Sequence, residues 1–240
     1  MSTLTNIRCL LVQTQLFWAD AAANRRQLET ITRKNAMGVD LVVFPETFTS
    51  GFLGDVQAGA EPMHGETVKW MRSLAAELGC VLCGSAAVAT EHGTGTANRF
   101  LWVQPDGVVQ HYDKRPLFSF SGVDQRYVAG KRRLVINYRG WRICPQVCYD
   151  LRFPAWCRNR GDYDALLFVA NWPEVRRHHW RQLLIARAIE NQACVIGVNR
   201  IGRDGNGLDY SGDSLVVAAD GELLLDMEQR PGTGTVTLNG

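Results

Sequence analysis

Ile143-Cys144-Pro145-Gln146-Val147-Cys148-Tyr149-Asp150-Leu151-Arg152-Phe153-Pro154 is an apolar run that turns polar within a residue or two of Cys148. Its first five residues read as a strand, and Cys148 stands at the strand's exit. A thiol there can face a cleft and serve as a nucleophile. Two other apolar runs close on a charged residue. Leu41-Val42-Val43-Phe44-Pro45 ends on Glu46, and Val108-Val109-Gln110-His111-Tyr112-Asp113 ends on Lys114. Functional residues of open α/β sheets gather outside the carboxyl ends of strands. Each residue also has a plain structural reading: Cys148 as a small buried hydrophobe, Glu46 as a turn cap, Lys114 as a solvated partner of Arg115.

Outward from these three exits, strand and helix patterns alternate. Residues 7–14 read as a buried strand, and 20–35 as a helix capped by Asp20 and ended by Met37-Gly38. Residues 41–44 form a strand. Residues 66–78 form a helix with Val68, Met71, Leu74, Ala75 and Leu78 on one face, closed by Gly79. Residues 80–89 are a strand; 98–103 and 108–112 form a hairpin around Pro105-Asp106-Gly107. A second hairpin joins 134–137 to 141–147 through Arg139-Gly140. A short helix is expected at 155–159, a strand at 165–170 and a long helix at 175–191. That long helix places Trp180, Leu183, Leu184, Arg187, Ala188 and Asn191 on one face. Strands at 194–199, 214–219, 222–227 and 233–238 complete the chain. Around a dozen strands are too many for one open twisted sheet. The expected architecture is a single α/β domain, 1–240, with two mixed sheets packed face to face and helices outside.

The composition is ordinary for a globular chain: 240 residues, 46% hydrophobic, 21% charged, formal net charge +2. No basic tract interleaved with aromatics marks a nucleic-acid surface. No apolar run approaches the roughly 18–20 residues a membrane span needs. The first six residues lack the basic start and apolar core of a secretory signal. The seven cysteines, at 9, 80, 83, 144, 148, 157 and 194, read as reduced thiols of a cytoplasmic protein. Strand alternation puts Cys80 and Cys83 on opposite faces, so their CxxC spacing reads as structural rather than metal-binding.

Cysteine, carboxylate and ammonium together suffice for acyl transfer without a metal or cofactor. The thiolate attacks an electrophilic carbon and carries the acyl group. The carboxylate moves the proton. The ammonium and the Tyr149 backbone N–H stabilise the oxyanion.

Phe44-Pro45-Glu46, Tyr112-Asp113-Lys114-Arg115 and Val147-Cys148-Tyr149-Asp150-Leu151-Arg152-Phe153-Pro154 resemble the three catalytic blocks of the nitrilase (carbon–nitrogen hydrolase) superfamily. The likeness extends through Asn171-Trp172-Pro173, residues 186–192, Asn199-Arg200-Ile201-Gly202, Gly205-Asn206-Gly207 and residues 210–214. The blocks stand in the family's order and span nearly the whole chain. The wording is most similar to the omega-amidase branch. The resemblance implies a four-layer α-β-β-α sandwich and a homodimer joined through helices. It implies Glu46 as general base, Lys114 as oxyanion stabiliser and Cys148 as nucleophile. The implied substrate is the terminal amide of a short dicarboxylic monoamide such as 2-oxoglutaramate or 2-oxosuccinamate. The same trio would also serve a nitrilase, or an amidase or carbamoylase acting on another small compound. The family often carries a second glutamate between the lysine and the cysteine. Here no Glu lies between Lys114 and Cys148, and Val123 or Asp124 occupies that neighbourhood. The chain also stops soon after residue 238, where many relatives continue, so the dimer is expected without that tail.

A dicarboxylic monoamide brings a carboxylate that needs a cationic partner. Candidates are Arg152, Arg176 and Arg177. Arg152 also reads as a structural cation pinning its turn to an acidic residue. Arg176, Arg177, His178 and His179 read equally as a pocket rim or a solvated helix start. The adjacent histidines point in different directions, which disfavours a metal site. Phe118 and Trp172 are the expected apolar walls.

Overall fold

The computed structural model describes residues 4–52, 59–90, 95–115 and 127–240. Two six-stranded mixed sheets and a two-stranded ribbon organise them. Along the chain run β1 (Ile7–Gln13), α1 (Ala21–Asn35), β2 (Leu41–Val43), α2 (Glu66–Leu78), β3 (Val81–Ala89), β4 (Thr96–Val103) and β5 (Val109–Asp113). Then follow β6 (Ile136–Tyr138), β7 (Trp141–Val147), α3 (Pro154–Cys157), β8 (Ala165–Ala170), α4 (Arg177–Asn191) and β9 (Cys194–Asn199). The ribbon is β10 (Ile201–Arg203) and β11 (Asp209–Ser211), and β12 (Leu215–Val217), β13 (Leu223–Asp226) and β14 (Gly232–Leu238) close the chain.

The first sheet has the order β14-β1-β2-β3-β4-β5 and the second β13-β12-β9-β8-β7-β6. In each, three central strands run parallel and antiparallel strands flank them. Period-two alternation divides the side chains of the first sheet. Cys9, Leu11, Val43, Cys83, Phe100 and Trp102 share a core with Ile143, Leu167 and Ile196 of the second sheet. Leu10, Val12, Val42, Leu82, Leu101 and Val103 face outward onto Leu28 of α1 and Val68, Met71, Leu74 and Ala75 of α2. Trp180, Leu184 and Ala188 of α4 cover the second sheet. That contact is close because β9 carries Gly197: a Cβ there would lie 2.5 Å from Leu184 Cδ1. The layers are therefore α-β-β-α. Cys80 packs in the outer core and Cys83 between the sheets, on opposite faces as alternation requires.

Local signals explain most boundaries. Asp20 accepts the Ala23 N–H at 2.8 Å and starts α1. Gly79 ends α2 at φ 66°. Two expected helices begin differently. A 3-10 turn, Cys148–Arg152, precedes α3, and another, Glu174–Arg176, precedes α4. In each case the chain leaves a strand and meets a proline before a regular α-turn can form. The strand expected over 214–219 is only Leu215–Val217. On α4, Leu183 is half-buried while the other five expected face residues are buried.

Candidate active site

Glu46 sits three residues beyond β2, where the backbone peels off the sheet. Thr47 adopts φ 41°, a conformation uncommon for a β-branched residue. Ser85 of β3 pins that turn. Its Oγ accepts the Thr47 N–H at 2.9 Å and its carbonyl the Phe48 N–H at 3.0 Å. The carboxylate is thereby held inside the protein, 1% exposed. Three donors meet it: Lys114 Nζ at 2.9 Å and Asn98 Nδ2 at 2.8 Å on Oε1, and the Asn171 N–H at 2.7 Å on Oε2. Asn171, just past β8, also donates from Nδ2 to the Glu46 carbonyl and to Thr47 Oγ1.

Cys148 leaves β7 with φ 46°, a second strained non-glycine residue beside the first. Its sulfur lies 3.8 Å from the Asn171 carbonyl oxygen. Burial, then the Glu46 charge, push the thiol well above its ordinary pKa, against the pull of Lys114. The sulfur therefore rests as a protonated thiol and needs a base to react. Glu46 is the carboxylate that shares a side-chain hydrogen bond with it. Lys114 follows β5 directly and is 2% exposed. Burial alone would lower its pKa, but Glu46, Cys148 and Asp150 more than offset that and keep it charged.

Glu46, Lys114 and Cys148 line one cavity of about 100 Å³ with Phe52, Tyr149, Arg152, Asn171, Trp172, Pro173, Arg176, Leu208 and Tyr210. A much wider cleft of about 1120 Å³ lies elsewhere, against Trp141, Pro154, Arg158, Glu190 and Leu224, and contains none of the three. The thiol, carboxylate and ammonium are all in the small cavity.

The carbon–nitrogen hydrolase family model matches residues 11–239. The chain belongs to the carbon–nitrogen hydrolase family. It is 46% identical to omega-amidase YafV of Escherichia coli K12 over 96% of this chain and 88% of that protein. It is 29% identical to the 2-oxoglutaramate amidase of Bacillus subtilis over 92% of this chain and 85% of that one. Among solved structures it resembles XC1258 of Xanthomonas campestris, a CN-hydrolase superfamily protein crystallised with an arsenic adduct in its active site. That match has a TM-score of 0.95 and 47% identity over 98% of this chain and 91% of that one.

In this carbon–nitrogen hydrolase, the other expected residues fall into three groups. Tyr149, Trp172, Arg152 and Arg176 line the cavity. Phe118 and Asp124 lie outside the described residues. Arg177 does not line the cavity, and its guanidinium is engaged by Asp213 through Nε at 2.6 Å and Nη2 at 2.9 Å. Arg152 has no carboxylate partner among the described residues, to which Asp124 does not belong. Its Nη2 lies 2.9 Å from His179 Nδ1, and its guanidinium sits 5.0 Å over the Trp172 ring. An arginine has no acceptor, so Nδ1 must accept and the imidazole proton resides on Nε2. Asn98 and Asn171 escaped the sequence reading as site residues. Asn171-Trp172-Pro173 held a signal, because a polar residue closes the apolar run 165–170 as Glu46 and Cys148 close theirs.

Proposed function

We propose that this carbon–nitrogen hydrolase is an omega-amidase. It hydrolyses the terminal amide of a short dicarboxylic monoamide, of which 2-oxoglutaramate is the type, through an acyl-enzyme on Cys148. The observation that carries this reading is the shared cavity: thiol, carboxylate and ammonium surround one small space, and its wall holds Arg152, which has no carboxylate partner among the described residues. The names of its relatives support it.

Cys148 Sγ attacks the amide carbon as its proton passes to Glu46. The carbonyl oxygen becomes an oxyanion, stabilised by Lys114 and the Tyr149 N–H. Protonated Glu46 then gives its proton to the amide nitrogen, the C–N bond breaks and ammonia leaves. Water attacks the thioester and yields its proton to Glu46. Collapse of the second tetrahedral species breaks the C–S bond, returns that proton to sulfur and releases the dicarboxylate. Trp172 walls the substrate, and Arg152 binds its far carboxylate.

Ammonia release from 2-oxoglutaramate, compared with a panel of small nitriles, tests the assignment. Turnover of nitriles alone would make the protein a nitrilase. The chain works as one catalytic domain, 1–240, and its reduced cysteines favour the cytoplasm. Two copies pair through the wide cleft beside α3 and the end of α4, where Leu224 lines the cleft and Ile189 stands exposed nearby. Sedimentation at micromolar concentration should give twice the 26.8 kDa chain mass, and a monomer would refute the pairing.

A further inference from the structure

Asp150 is fully buried two residues past Cys148, and the steps above give it no task. Its carboxylate uses one oxygen twice. Oδ2 accepts the Val147 N–H at 2.7 Å and the Tyr112 O–H at 2.8 Å, while Oδ1 accepts no hydrogen bond from the described residues. The first bond clasps the residue before the nucleophile, where the backbone swings into positive φ. The second crosses to the other sheet, because Tyr112 lies in β5 two residues before Lys114. The Tyr112 oxygen in turn accepts the Arg115 N–H at 3.3 Å and Trp156 Nε1 at 3.1 Å. The main-chain oxygen of Asp150 accepts the Phe153 N–H at 3.0 Å and Cys157 Sγ at 3.3 Å, closing the turn on its far side.

Burial raises the Asp150 carboxyl to about 7, opposed by the Val147 bond, the Lys114 charge and the Tyr112 bond. Burial, followed by the Asp150 charge, lifts the Tyr112 phenol far above its ordinary range, so it stays a donor. Oδ2 is thus bonded both to the turn that presents the sulfur and to the strand that presents the ammonium. A buried hydrogen bond across two sheets fixes their relative position more tightly than apolar packing does.

We propose that Asp150 is a positioning residue: through Val147 and Tyr112 it locks the nucleophile turn to the strand end bearing Lys114, and so sets the distance between sulfur and ammonium. This role rests on the parts given above to Cys148 and Lys114, but it can be read without any substrate.

The experiment uses Tyr112→Phe and Asp150→Asn in the full chain, with Asp150→Ala as the severe variant. Two quantities are measured: kcat and KM on 2-oxoglutaramate, and the rate of Cys148 carboxamidomethylation by iodoacetamide, resolved by peptide mass spectrometry. Tyr112→Phe cuts the bridge between sheets, together with the acceptor of the Arg115 N–H and Trp156 Nε1, and leaves the Asp150–Val147 bond in place. It should lower kcat by roughly tenfold or more with KM within about twofold, the signature of a lost transition-state alignment. It should also slow alkylation of Cys148 by a similar factor. Asp150→Asn keeps an oxygen able to accept both bonds, and should retain clearly more of both rates than Asp150→Ala. If Asp150→Ala does not fold, Tyr112→Phe decides alone. Alkylation of Cys148 at the wild-type rate in Tyr112→Phe overturns the role. The alkylation arm stands even if 2-oxoglutaramate proves not to be turned over, so the two readings fail separately.

Discussion

Replacing Arg152 by alanine separates recognition of the far carboxylate from the chemistry. The guanidinium is held by His179 and the Trp172 ring and has no anion of its own among the described residues. A substrate carboxylate would therefore meet a cation that need not first break an ion pair. Hydrogen bonds to charged groups contribute about 1.5–3 kcal/mol. Arg152 is partly solvent-accessible, so the lower half of that range applies. On that basis kcat/KM for 2-oxoglutaramate should fall by roughly 10- to 40-fold, at about 1.4 kcal/mol per factor of ten. The contacts to Trp172 and His179 exist before substrate binds and largely cancel. The control is butyramide, which has the amide but no second carboxylate. Its kcat/KM should change by no more than about threefold, because the lost interaction is not one it makes. Ammonia release for both amides gives the comparison directly. An equal loss on both would mean that Arg152 supports the turn after Cys148 rather than the substrate.

Cys148→Ser should abolish nearly all turnover, since a hydroxyl is far harder to deprotonate than a thiol; substantial ammonia release would place the nucleophile elsewhere. Lys114→Met should reduce kcat by roughly 100-fold or more through loss of the oxyanion donor. A shift confined to KM would reassign Lys114 to binding. The same change strips Glu46 of its ion-pair partner, so the urea midpoint should drop as well; breaking a buried pair costs about 3–5 kcal/mol. Stability should also decline at alkaline pH. Burial raises Cys80 and Cys144 to about 11 and Cys157 and Cys194 to about 12, from an ordinary value near 9. Groups whose folded pKa is raised stabilise fully below the unfolded value and lose that contribution as pH climbs toward the folded one. The urea midpoint should therefore fall between pH 9 and 11, and Cys80→Ala should flatten the fall. A midpoint constant over that window would show the thiols are not sealed from solvent.

The three strand exits were legible because each change from apolar to polar or charged is local: Glu46, Cys148 and Lys114 stand where a strand-like run stops. The groups that hold them were not. Asn98 lies mid-strand and looks like an ordinary polar position until the fold brings Glu46 to it from 52 residues away. Arg176 and Arg177 look alike in the chain, and only the arrival of Asp213, itself fully buried, removes Arg177 from the pocket. The β10–β11 ribbon escaped notice because three-residue strands around Asp204-Gly205-Asn206-Gly207 carry too little apolar periodicity to register. Residues 233–238 were readable as a strand, but their antiparallel pairing with β1, from Ile7 with Leu238 to Gln13 with Gly232, joins the two ends of the chain and has no local signature.

Charge conservation explains why a neutral thiol is buried beside an ion pair. At rest the cavity holds one carboxylate and one ammonium, whose shared desolvation is offset by their contact and by the amide donors of Asn98 and Asn171. In the proposed reaction the thiol proton moves to Glu46, and the carboxylate charge disappears from one side of Lys114 as the oxyanion charge appears nearby. The ammonium exchanges one anion for another without becoming unpaired, and no new net charge enters the low-dielectric interior. A resting thiolate would have put two anions against one cation, which is why burial and Glu46 together keep the sulfur protonated until a substrate carbonyl can take over the charge.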